Sequence, residues 1–301
     1  MQKNIIIATL CSTLLFGCQL MDKNKQIRPH DENRSILEKL ADEEGPKVDS
    51  VDQTMLKSAI AADKKGQYAK AAQFYQQYLN SSKHAENKHV LAYGEALRRA
   101  GMHKESIKVY ELVLDDDKNN VAAMEGKGLA LLAETRTNEA IKLFGKVMQI
   151  DAARWKTANA LGNAYEMKKK YKEALEYYKL AADLTNNNNH TILNNIAMTY
   201  MHSDDYDMAI KYLKKAAKIA PTKDKKHIDL NLSMAYGLSG DMERSAATAR
   251  KHLPEHEVLN NLGVFANLSG DDEMARSYFN MALNRSPYFY KKASDNLEKL
   301  N

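Results

Sequence analysis

The chain is short of the residues on which several common kinds of protein depend. Only two of its 301 residues are cysteine, Cys11 and Cys18. Both stand at the very start, which excludes an internal disulfide or a cysteine-ligated metal site from everything that follows. Thirteen glycines and five prolines over the whole length leave few breaks for the frequent turns of an all-β chain. No apolar run reaches the roughly 20 residues that a permanent membrane-spanning helix needs. There is no glycine-rich phosphate loop and no nucleophile elbow, and the carboxylates stand in charged stretches rather than as isolated pairs in apolar sequence. The nearest approach to a metal pair is His252 and His256, but Pro254 lies between them and breaks the helix that would align the two rings. These absences argue against an enzyme, a cofactor, a bound metal and a small-molecule substrate. Charge of one sign is also lacking: 44 basic and 39 acidic residues leave a formal charge of +5. With the two signs mixed along the chain and no basic cluster interleaved with aromatics, a nucleic-acid partner is not expected.

What is present begins with Lys3 and a mostly apolar stretch from Ile5 to Phe16, the pattern of a secretory signal over residues 1–17. Leu15-Phe16-Gly17-Cys18 resembles the bacterial lipobox, which implies that Cys18 becomes the acylated first residue of the mature chain. Gln19, where many inner-membrane lipoproteins carry aspartate, implies an outer-membrane location, lipid-anchored and facing the periplasm. Residues 18–51 are rich in Asp, Glu, Lys and Asn, are broken at Pro29 and Gly45-Pro46, and read as a flexible tether.

From residue 52 onward one pattern recurs. Repeat starts at Asp52, Asn87, Val121, Trp155, His190, Lys226 and His256 are separated by 35, 34, 34, 35, 36 and 30 residues. The eighth place of each unit is small: Ala59, Gly94, Gly128, Gly162, Ala197, Ser233 and Gly263. So is the twentieth: Ala71, Ser106, Ala140, Ala174, Ala209, Ser245 and Ala275. Two columns of small residues are what closely crossing helices require. The eleventh and twenty-fourth places carry large residues, among them Leu97, Tyr165, Tyr200 and Tyr236, and Tyr75, Tyr110, Phe144 and Tyr178, which fill the space between layers. The period and columns resemble the tetratricopeptide (TPR) repeat. The fold that follows is all-α: a right-handed superhelical solenoid of about seven TPR helical hairpins over residues 52–287, closed by a capping helix at 288–301 in which Phe289, Ala293, Leu297 and Leu300 share one face.

In that family the first helix of each hairpin lines the inner wall, which implies that a protein partner is met there. Asn195, Asn231 and Asn261 occupy one place in the last three repeats, next to Asn194 and Asn260, and Asn159 and Asn163 stand in repeat four. A carboxamide offers a donor and an acceptor together and matches an extended peptide backbone whatever its sequence. The row reads equally as a peptide-binding track and as asparagines bonded to their neighbours. Met198, Met201 and Met234 read equally as an adaptable apolar groove and as packing. Lys88, Arg98 and Arg99 stand on the same wall of repeat two, without the Lys and Asn spacing of a carboxylate clamp.

One segment is more particular. His227-Ile-Asp-Leu-Asn-Leu-Ser-Met-Ala-Tyr-Gly-Leu-Ser-Gly-Asp-Met, followed by Ala249-Arg250 and then Val258-Leu-Asn-Asn-Leu-Gly-Val, resembles the TadD family, including its shortened last spacing. The resemblance implies a TPR lipoprotein of the tight-adherence (Flp pilus) system, assisting assembly of the pilus secretion machinery, with a secretin or another pilus-assembly component as partner and Cys18 as the membrane attachment. A TPR pilotin for type IV pili, or a periplasmic adaptor for cell-wall enzymes, shares both the lipobox and the repeats.

Overall fold

The structure, a computed structural model, describes residues 50–82 and 85–300. The expected signal segment, Cys18 and the tether up to residue 49 lie outside the described residues. Among those described there are fifteen α-helices and no strand, divided into two compact units, residues 50–168 and 169–300. The first unit holds α1 (Ser50–Lys64), α2 (Tyr68–Ser81), α3 (Asn87–Arg99), α4 (His103–Asp116), α5 (Val121–Ala133), α6 (Thr137–Ile150) and α7 (Trp155–Met167). The second holds α8 (Tyr171–Leu184), α9 (His190–His202), α10 (Tyr206–Ile219), α11 (Thr222–Leu238), α12 (Met242–Ala249), α13 (Glu255–Leu268), α14 (Asp272–Arg285) and α15 (Lys291–Glu298). Within each unit, consecutive helices pack as hairpins, and each second helix also packs on the next first helix.

The turn inside every hairpin obeys one rule. The fifteenth place of all seven repeats has positive φ: Gly66, Gly101, Thr135, Lys169, Asp204, Gly240 and Gly270. In six of the seven the next residue donates its backbone N–H to the carbonyl at the eleventh place, as from Gln67 to Ala62 at 2.9 Å, Arg136 to Leu131 at 2.8 Å and Asp271 to Ala266 at 2.9 Å. That bond and the left-handed residue together end a helix and satisfy its last carbonyls. Several helices then open with a side-chain cap: Asn120 accepts from the Ala123 amide, Asp205 from Met208 and Asp271 from Met274. Each such cap contributes about 1 kcal/mol.

The small columns have a specific occupant. A Cβ added at Gly94 would lie 2.9 Å from the Tyr110 ring, at Gly128 2.4 Å from Phe144, and at Gly263 2.6 Å from Phe279. The large residue at place 24 therefore rests on the backbone at place 8 of the same hairpin. Where place 24 is the smaller Leu213, place 8 is Ala197, and both are fully buried. At place 20, Ser106 donates through Oγ to the Gly94 carbonyl at 2.9 Å, so this small residue also satisfies a buried backbone acceptor.

Repeat six departs from the pattern. Its second helix, α12, has only eight residues, and place 24 is Ala249, too small to fill the layer. About one turn beyond place 8 of the same repeat, Phe265 from α13 lies against α11, where a Cβ at Gly237 would meet its ring at 2.1 Å.

The cap differs from expectation at one residue. Ala293 is fully buried, and Leu297 and Leu300 pack on Ala266, Ala275 and Phe279. Phe289 does not join them and is 76% exposed. The helix starts only at Lys291, so 289 is off its periodicity, and Tyr290 packs inward in its place.

Candidate protein-binding site

The first helices α1, α3, α5 and α7 belong to one unit and α9, α11 and α13 to the other, so the candidate wall has two parts. In the first unit it is ionic and largely self-paired. Arg98 donates two bonds to Glu95, at 2.8 and 2.7 Å, Arg99 approaches the same carboxylate at 3.2 Å, and the Tyr110 hydroxyl donates to it at 3.2 Å. Burial works against the Glu95 charge, but the two guanidinium groups and these hydrogen bonds outweigh it and hold the carboxyl below the usual range. On α1, burial pushes the Asp63 carboxyl up, opposed by Arg99, whose guanidinium stands 3.7 Å away. Two helices further on, Arg154 makes a second bidentate pair with Glu125, at 2.8 and 2.6 Å, and Thr157 donates to the same carboxylate. Asn159 and Asn163 are half-buried on α7, each with a partner of its own, and Met167 is exposed at the helix end.

In the second unit the wall is nearly closed. Asn194, Asn195, Met198, Met201, Asn231, Met234 and Asn260 are all buried, so the methionines of this wall are packing. Asn231 donates to the Asn194 carbonyl oxygen at 2.8 Å, and Asn296 of the cap donates to Asn260 at 3.1 Å. The bonded asparagine row thus runs 194–231 and 260–296, one place off the expected alignment of 195, 231 and 261. Asn195 also has a partner. Asn261 alone of the row is half-buried with no bonded neighbour among the described residues.

The two histidines flanking Pro254 go separate ways. His252 pairs through Nε2 with Asp229 at 2.7 Å, and His256 packs edge-on against Tyr288 and Tyr290. Among the described residues no group of His, Cys, Asp and Glu has the arrangement of a metal site, and no helix is long and apolar enough to cross a membrane.

A feature the sequence reading passed over lies in the second unit. Lys211, Lys214, Lys215 and Lys218 occupy one exposed face of α10 at i, i+3, i+4 and i+7. Their spacing was visible in the sequence and was hidden only by averaging charge over the whole chain.

Comparison with known proteins agrees with this architecture. The tetratricopeptide-repeat family matches at residues 53–82, 155–188 and 190–223. A tetratricopeptide-repeat protein from Parabacteroides merdae is similar in fold, with a TM-score of 0.58 at 14% identity over 84% of this chain and 99% of that one. A thermophilic TPR protein from Thermus thermophilus gives a TM-score of 0.53 at 14% identity, over 61% of this chain and 98% of that one. A curated relative, the probable UDP-N-acetylglucosamine–peptide N-acetylglucosaminyltransferase SPINDLY of Hordeum vulgare, is 29% identical over 96 residues, 32% of this chain. The match spans only 10% of that relative's length. The hairpins outside the matched segments keep the same small and left-handed places as those inside them, and the chain is accordingly a tetratricopeptide-repeat protein.

Proposed function

We propose that the protein is a non-catalytic scaffold that binds other proteins at the bacterial outer membrane, held there by acylation of Cys18, and that it assists assembly of a tight-adherence pilus secretion machine by engaging a secretin or an associated component. The observation that carries the scaffold reading is the wall of first helices repeated within each unit, which carries paired charges in the first and carboxamides in the second rather than a nucleophile and base in hydrogen-bond reach. The pilus reading rests on the resemblance of residues 227–264 to the TadD family, with its shortened last repeat. A match over a tenth of a glycosyltransferase carries no transferase activity to this chain.

Within the wall, the carboxamides that are half-buried rather than buried are Asn159 and Asn163 in the first unit and Asn261 in the second. The test is capture from native membranes by the full acylated chain, comparing wild type with an Asn159→Ala, Asn163→Ala, Asn261→Ala variant and identifying the recovered proteins by mass spectrometry. A secretin recovered by wild type and depleted with the variant is the expected result. Recovery of cell-wall enzymes alone, or of a type IV pilus secretin alone, overturns the tight-adherence reading. Equal recovery of a secretin by both proteins removes these asparagines from the site.

A further inference from the structure

Residues 206–227 contain seven lysines, at 211, 214, 215, 218, 223, 225 and 226, against two acids, Asp207 and Asp224. The segment carries 7 − 2 = +5, the formal charge of the entire chain, so the other residues sum to zero. All seven lysines are exposed, and none has a carboxylate partner among the described residues. Asp224 is engaged by His190 at 3.3 Å. Other second helices mix their charges, as α4 does with Lys104, Glu105, Lys108 and Glu111. On α10 the four lysines repel one another at i, i+3 and i, i+4 spacing, which weakens the helix. A stripe that costs stability and is paired with no carboxylate among the described residues is suited to an anion outside the molecule.

Aromatic rings are set between these cations. Lys179 of α8 sits over the Tyr200 ring at 5.4 Å, Tyr200 stacks on Tyr212 at 5.8 Å, and Lys215 sits over Tyr212 at 5.3 Å. One repeat later Lys214 lies 5.7 Å and Arg244 4.7 Å from the ring of Tyr236, which is itself buried. The acids of neighbouring elements are mostly occupied: on α8 Glu173 pairs with Lys170 and Asp183 is approached by Asn187, with Glu176 the remaining acid of that helix, while Asp229 pairs with His252 and Asp241 with Arg244. Ile219 ends α10 with 37% of its surface exposed.

We infer that the basic face of α10 and the start of α11, with Tyr200 and Tyr212 beside it, is a contact for an anionic phospholipid surface. Lysines are hydrated point charges that suit a diffuse layer of phosphates, whereas specific recognition of one carboxylate favours the bidentate fork of arginine. Tyrosine and lysine together are the residues that settle at a headgroup layer. The inference shares only the membrane location with the proposed function and requires neither a protein partner nor acylation of Cys18.

The test uses the full chain produced without acylation, in sedimentation with vesicles of phosphatidylcholine alone or with phosphatidylglycerol added. Binding above the phosphatidylcholine baseline is expected to require phosphatidylglycerol and to fall in 1 M salt, where the screening length is about 3 Å. A Lys211→Gln, Lys214→Gln, Lys215→Gln, Lys218→Gln variant should lower partitioning by roughly a hundredfold or more, and a quadruple lysine-to-arginine variant should restore it. Glutamine keeps helix propensity close to that of lysine, and circular dichroism checks that the fold is retained. Unchanged partitioning of the folded glutamine variant overturns the inference. Lysine-dependent binding to poly-glutamate without binding to anionic vesicles overturns it as well and assigns the face to an acidic protein.

Discussion

Exchange of a single methyl group at Gly128 tests how the hairpins are locked. Phe144 is fully buried, and a Cβ at 128 would stand 2.4 Å from its ring, about 1 Å inside ordinary contact. A flat ring held on all sides has nowhere to retreat, and overpacking of this kind costs about 1–3 kcal/mol. Alanine in a helix interior recovers about 1 kcal/mol of backbone entropy relative to glycine. Gly128→Ala is therefore expected to destabilise by up to about 2 kcal/mol. In a Phe144→Leu background the ring is gone and the pair becomes that of repeat five, where Ala197 faces Leu213. There the same Gly128→Ala change should be neutral or stabilising, a coupling of about 1–3 kcal/mol. Urea unfolding read by circular dichroism gives the four stabilities, and the single tryptophan, Trp155, opens the helix that follows α6 and reports on the same unit. Equal destabilisation by Gly128→Ala in both backgrounds would refute the account of why place 8 is small.

Two further outcomes are expected. Glu95 has a folded-state pKa below its unfolded value, so its contribution is present above about pH 4.5 and is lost as pH falls through the folded pKa. Melting curves from pH 6 to pH 3 should fall less steeply for Glu95→Gln than for wild type, by about 0.5–1 kcal/mol once solvent screening is counted, and parallel curves would show that the guanidinium pairs do not hold this carboxylate. Asn231→Ala leaves the buried Asn194 carboxamide without its 2.8 Å bond and should cost about 1–3 kcal/mol. Adding Asn194→Ala should cost less than its effect alone, and simple additivity in the thermal melts would mean the two amides act independently.

The repeat was legible because two closely crossing helices impose small residues at fixed intervals, and such a column survives when everything else varies. The left-handed column was harder to read: Gly66, Gly101, Gly240 and Gly270 signal it, while Thr135, Lys169 and Asp204 take the same conformation and conceal it. The asparagines were visible as residues but not as bonds. Adjacent pairs such as Asn194-Asn195 and Asn260-Asn261 leave the facing member undecided until the packing of α11 on α9, and of the cap on α13, is known. Periodicity alone also placed Phe289 on the cap, because a helical face can be drawn through residues that precede the first helical turn. The lysine stripe of α10 needed no structure to be seen, only a count taken over one helix.

The fit of glycine to ring also crosses between repeats at two joints. Tyr110 of repeat two lies where a Cβ at Gly126 of repeat three would come within 2.2 Å, and Phe265 of repeat seven lies against Gly237 of repeat six. At those two places the other repeats carry Lys57, Ala92, Ala160, Asn195, Asn231 and Asn261, or Asp63, Arg98, Leu132, Glu166, Met201 and Asn267, none of them glycine. Tandem arrays ordinarily grow and shrink by copying or losing whole modules, because any module can follow any other. Here two junctions accept one successor each, so the order of the modules is written into the chain, and a lineage that duplicated or deleted a repeat at either junction would have to rebuild it.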